Sequence, residues 1–122
     1  MHARWLFGIA AAFNFAVAAS VLFLRPWIGP LFQLDPPVGT NLATTYIAGV
    51  LIACFGWAYV CIARDPVQYR PYVSLGIIGK LAVATAAFTP WLTGAIGWRV
   101  PALAAADLVF AALFADFLRR TR

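Results

Sequence analysis

The segment GIIGKLAVATAAF, residues 76–88, has the composition of an apolar helix, yet a lysine, Lys80, stands in it. Its nearest charged neighbours along the chain are Arg70 and Arg99. A cation placed in such a run has to be met by another part of the fold. The residues around it indicate which part, and in which solvent.

Of the 122 residues, 64% are hydrophobic and only 11% are charged. A small water-soluble domain leaves too much of its chain exposed to carry that composition, so lipid is the expected solvent. The formal charge of +5 does not point to nucleic acid, because the arginines flank apolar runs instead of clustering on one face. No nucleic-acid partner is expected. The only histidine is His2, and the sequence has no Gly-rich phosphate loop, no zinc-type cysteine spacing and no glycine-flanked serine. Hydrolytic triads, metal sites and haem sites are therefore not expected, and the chain reads as a non-enzyme with no cofactor.

Four apolar runs approach spanning length: 5–24, broken only by Asn14 and Ser20; 42–62, free of charge; 73–92, with Lys80; and 100–118, with Asp107 and Asp116. A helix needs about 20 such residues to cross a hydrocarbon layer about 30 Å thick. None alternates as a barrel strand would, and backbone groups in lipid must be satisfied within the segment, so helices are expected. The fold class is an all-α integral membrane protein, a single domain over 1–122 built as an antiparallel up-and-down bundle of four transmembrane helices. The first run has a second reading, a signal peptide with an A-x-A site at Ala16 to Ala18. The apolar run continues through Val21 to Leu24 with no polar segment after it, which favours a retained membrane helix.

The connection RPWIGPLFQLDPPVGTN, 25–41, should be an irregular outer loop. Pro26 stops the first helix, Pro36 and Pro37 forbid regular helix, and Thr40 or Asn41 can cap the next one. Trp27, Ile28, Leu31, Phe32 and Leu34 are apolar enough to lie on the membrane surface; a lid over the bundle is the alternative. Thr93 to Trp98, with Gly94 and Gly97, should close an antiparallel hairpin. Arg4, Arg64, Arg70, Arg119, Arg120 and Arg122 then fall on one side and only Arg25 and Arg99 on the other. Short-loop Lys and Arg stay cytoplasmic, so both termini are expected there. Trp27, Trp91 and Trp98 mark the outer interface and Trp5, Tyr69 and Tyr72 the inner one.

Depth arithmetic identifies a partner for Lys80. At 1.5 Å per residue it lies about 12 Å inside the third helix, and Asp107 lies about 12 Å inside the fourth from the opposite end. In a layer of about 30 Å their backbones are roughly 6 Å apart in depth, within reach of a lysine side chain. Facing lipid instead would cost about 2.5–3.5 kcal/mol for each charge. Asn14 lies at about 15 Å, near the midplane, on a face shared with Ala10, Ala11, Val17 and Ala18. Lys80, Asp107 and Asn14 form the candidate polar core site; the alternative is a packing lock, polar side chains that fix helix register and do nothing else. Gly49, Ala53 and Gly56 supply a small-residue seam on the second helix. Asp116 is out of phase with Asp107 and should pair with Arg119 and Arg120 at the interface. Cys54 and Cys61 share a helix face too far apart for a disulfide, and are expected to be small buried hydrophobes.

The Pro-interrupted loop, a Gly-rich second helix ending in ARDP (63–66), GKL (79–81) and ADLVFA (106–111) resemble the DoxX-like four-helix membrane proteins of bacteria. The resemblance spans nearly the whole chain and implies the fold, a bacterial inner-membrane location and a polar core site, with no activity attached. The leading functional expectation is binding of a small hydrophobic molecule, a lipid or quinone-like compound, at Lys80 and Asp107. An ion- or proton-coupled transporter acting as a homo-oligomer is the second, and an accessory subunit of a larger membrane complex the third.

Overall fold

The computed structural model describes residues 2–121 and contains five helices and, among those residues, no strand. They are α1 (Ala3–Phe23), α2 (Arg25–Phe32), α3 (Thr40–Arg64), α4 (Arg70–Leu92) and α5 (Arg99–Arg120). All except α2 are long and apolar enough to cross a bilayer, which fits a multi-pass membrane protein.

Proline and its neighbours set several helix ends. Asp65, just before Pro66, is extended at φ −146° and ψ 85°, as a residue ahead of proline prefers, and α3 stops at Arg64. The Asp65 carboxylate accepts the Gln68 N–H at 3.0 Å, which shapes the turn into α4. Pro71 then occupies the first turn of α4, where a missing N–H costs nothing. Between α4 and α5 the chain turns at Gly94, whose φ of 84° suits glycine.

The 25–41 connection is not irregular throughout: residues 25–32 are helical. Pro26 ends α1 and also starts α2, because the first turn of a helix needs no N–H donor. Gln33 closes α2 in the left-handed conformation, its N–H turned to the carbonyls of Gly29 and Pro30. Only the stretch around Pro36 and Pro37 stays non-helical. Capping also differs from expectation. Gly39, at φ 58°, precedes α3 and no side chain caps it, while the Asn41 amide donates to the Pro36 carbonyl at 2.8 Å. Arg25 ties this segment down, donating to Thr45 Oγ1 at 3.3 Å and to the Asp35 carbonyl at 2.8 Å.

The spans associate through small residues and rings. A Cβ built on Gly49 would meet Leu22, and one on Gly56 would meet the Phe15 ring at 3.2 Å, so the seam of α3 receives α1. Ala10, Ala11 and Ala18 are buried on the facing side of α1. In lipid there is no hydrophobic gain from helix contact, so close approach of small residues and side-chain packing must hold the bundle. The largest fully buried side chains, Tyr59, Phe7, Phe114, Ile62 and Val73, gather in the half of the bundle nearer the termini. Phe7 stacks on Phe114 at 4.7 Å and meets Phe117 edge-on at 5.3 Å. Ile47, Val50, Trp57, Ile78 and Val109 are among many large apolar side chains exposed along the spans, more than a water-facing surface ordinarily carries and suited to lipid.

Cys54 is exposed and Cys61 half-buried, contrary to the expectation of burial. At about 100° per residue, position 54 falls on the far side of α3 from the Gly49 and Gly56 seam. Depth in a bilayer and burial in a bundle are separate coordinates, and Cys54 has the first without the second.

Gly76 offers a test of the packing. A Cβ there would stand 2.9 Å from Tyr59 and 3.4 Å from Phe114, both rings fully buried. Gly76→Ala should lower stability by about 1–3 kcal/mol through overpacking. Gly8→Ala, at an exposed position with nothing within 4 Å of the new atom, should leave it unchanged or raised. Unfolding of both variants in detergent, followed by circular dichroism, checks the contrast.

Candidate functional site

Lys80 lies on α4 and is buried, with 3% of its surface accessible. Its ammonium donates to Asp107 Oδ1 at 2.6 Å and to Asn14 Oδ1 at 3.2 Å. Asn14 in turn donates its amide to the Ile52 carbonyl at 3.1 Å. Ile52 is on α3, Asn14 on α1 and Asp107 on α5, so one hydrogen-bonded chain runs through every spanning helix. The structure therefore brings together all three residues singled out from the sequence.

Three rings complete the surroundings. The ammonium lies 5.0 Å from the Phe110 centroid, 5.4 Å from Tyr59 and 5.5 Å from Phe13. Each is inside the roughly 6 Å range in which a cation is attracted to a ring face. Sequence reasoning missed this cage. Phe110 follows Asp107 by three residues and so shares its helix face, a signal that was available. Tyr59 approaches because Gly76, four residues before Lys80, presents no side chain to exclude it.

Magnitudes explain how a lysine is tolerated here. Its insertion cost near a helix centre is about 2.5–3.5 kcal/mol. A hydrogen bond involving a charged group returns about 1.5–3 kcal/mol, and a desolvated cation–π contact about 2 kcal/mol. Two or three such contacts cover the cost.

The pair is closed on the lysine side and open on the aspartate side. The Lys80 side chain keeps 4% of its surface accessible, that of Asp107 15%. Oδ1 of Asp107 is committed to Lys80, while among the described residues no donor reaches Oδ2. Among the described residues Arg25 Nε is the one buried side-chain polar atom left without a partner, so the unpaired Oδ2 reaches the bundle surface. Lys80 offers a visiting molecule little: two of its three N–H donors are used and the ammonium is enclosed by rings. Chemically, the site presents one carboxylate oxygen that can accept a proton donor.

Asp116 lies elsewhere. It accepts from Arg119 at 2.7 Å and Arg120 at 2.9 Å in exposed pairs near the end of α5. Such pairs contribute little to stability.

The chain matches no family model, no curated protein and no solved structure.

The coupling of the pair can be measured directly. Lys80→Ala and Asp107→Ala should each cost about 1–3 kcal/mol by leaving a buried polar group unmet. The double replacement should cost clearly less than the sum. Additive losses in detergent unfolding would mean that the two side chains are not coupled.

Proposed function

We propose that this chain is a small integral membrane protein that engages the polar end of a hydrophobic molecule from the bilayer at Asp107. The observation that carries the reading is the open Asp107 carboxylate backed by a closed Lys80. Lys80 holds the carboxylate in place and balances its charge, and Asp107 makes the contact. An acceptor oxygen selects a donor, so the molecule carries a hydroxyl or amine at that end. Asp107 is about eight residues, or about 12 Å, from the start of α5. That is too deep for the headgroup of a two-chain phospholipid, whereas a hydroquinone or a long-chain alcohol can place its hydroxyl there. The quinone-like ligand is thus favoured in its hydroxyl-bearing form.

The spans are taken to run up and down in alternation. Contacts support this: α1 meets α3 through Phe15 at Gly56 and Leu22 at Gly49, stepping forward along one helix and back along the other. α4 meets α5 through Arg70 at Leu118 and Lys80 at Asp107 in the same sense. The arginine distribution supports cytoplasmic termini. The DoxX-like resemblance of GKL and ADLVFA supports a bacterial inner-membrane location.

The binding test uses Lys80→Met with Asp107→Leu, which removes both charges at similar volume; buried ion pairs often tolerate such replacement. Wild-type protein should co-purify with a hydroxyl-bearing apolar molecule, identified by mass spectrometry of the organic extract. The double variant should fold and lose it. A folded variant that keeps the same molecule, or a wild type that carries none, overturns the reading.

Topology is tested separately. Reporter fusions at either terminus should report the cytoplasm, and a tag inserted within 34–38 should report the opposite side. A cytoplasmic tag at 34–38 would overturn the orientation.

A further inference from the structure

The second candidate surface lies at the α2 end of the bundle and is independent of the reading of Asp107. A groove of about 520 Å³ opens between α2 and α5, lined by Leu31, Phe32, Trp98, Arg99, Ala102 and Leu103. Arg99 donates to the Leu31 carbonyl at 2.8 Å, which fixes one edge of its guanidinium and turns it to the groove wall. The guanidinium also lies 5.9 Å from the Trp98 ring. No carboxylate balances it among the described residues: the ion pairs there belong to Asp107 and Asp116.

The order of polarity along the groove identifies its occupant. α5 has 22 residues, so at 1.5 Å each it is about 33 Å long, close to a hydrocarbon layer of about 30 Å. Arg99 is its first residue, so it stands at the edge of that layer, within side-chain reach of the lipid phosphates. Leu103, one turn further along, is about 6 Å deeper, at the level of the acyl chains. A cation with a tryptophan at the rim and apolar walls beneath complement an anionic headgroup above a hydrocarbon chain. Arg99 has further N–H donors beyond the one given to Leu31, and a guanidinium fork suits phosphate oxygens. The geometry points to a binding site for one anionic phospholipid, its phosphate on Arg99 and one acyl chain along α2 and α5.

Competition between two lipids tests this. Purified protein in detergent is given equal amounts of phosphatidylglycerol and phosphatidylcholine with identical chains, and retained lipid is read by native mass spectrometry. Wild type should retain phosphatidylglycerol about fivefold over phosphatidylcholine, the scale of one interfacial arginine acting on an anionic lipid. Arg99→Gln keeps a donor for the Leu31 carbonyl and should bring the ratio to about one, as expected when that single charge is removed. Ala102→Trp leaves Arg99 in place, fills the groove, and should reduce retention of both lipids. Helical content by circular dichroism confirms that each variant is folded. An unchanged ratio in Arg99→Gln, or unchanged retention in Ala102→Trp, overturns the site. So does a wild type that appears as a lipid-free dimer, since a second copy would then occupy the groove.

Discussion

A buried ammonium group has to be surrounded before the helices around it can settle, and Lys80 draws a contact from every other spanning helix. Asn14 and the Phe13 ring come from α1, the Tyr59 ring from α3, and Asp107 and the Phe110 ring from α5. Each contact is short-ranged, so a slip of one helix by a single residue, about 1.5 Å in height and 100° in rotation, breaks several at once. In lipid, where helix contact brings no hydrophobic gain, this requirement adds to small-residue packing in distinguishing one arrangement of the spans from its neighbours.

The surrounding packing serves that requirement. Glycine stands where rings must come close: Gly76 beneath Tyr59, Gly79 beneath Phe55, and Gly56 beneath Phe15. The small face of α1 brings Asn14 near enough to α3 for its amide to reach the Ile52 carbonyl. That bond orients the amide, leaving its oxygen for Lys80 and its nitrogen for the backbone. Toward the termini the bundle is filled by Phe7 and Tyr59, each packed against Phe114. Toward α2 it is closed by Arg25 and Arg99, whose side chains bind backbone carbonyls of the connecting segment. One end is thus held by aromatic packing and the other by guanidinium groups, with the polar chain between them.

The four spans are legible in the sequence because hydropathy over about 20 residues is a direct physical requirement of crossing a bilayer. Their observed ends fall within three residues of the expected ones. The approach of Lys80 to Asp107 is legible for a related reason, since depth follows from residue count once the spans are known. Rotation about the helix axis is harder to read. In lipid both the inward and the outward faces are apolar, so periodicity carries little contrast, and the burial expected of Cys54 does not hold. The helix α2 is hidden because Pro26 reads as the stop of α1 and Pro36 and Pro37 as forbidding helix, although proline in the first turn starts a helix as readily as it ends the one before. The ring cage was missed because phenylalanine in an apolar run looks the same whether it faces lipid or a cation.

The closed lysine and the open aspartate bear on whether the polar chain is only a lock. A lock is best served when both partners are fully enclosed, since any exposed charged oxygen at that depth faces hydrocarbon at a cost of the order of kcal/mol. Lys80 meets that standard and Asp107 does not. An apolar residue in place of both would hold the helices with no charge to shelter. The arrangement therefore carries an energetic cost on one side of the pair that packing alone does not require. A donor arriving from the bilayer at Asp107 Oδ2 would offset it, while the Lys80 end, enclosed by rings and already bonded to Asp107 and Asn14, would stay as it is.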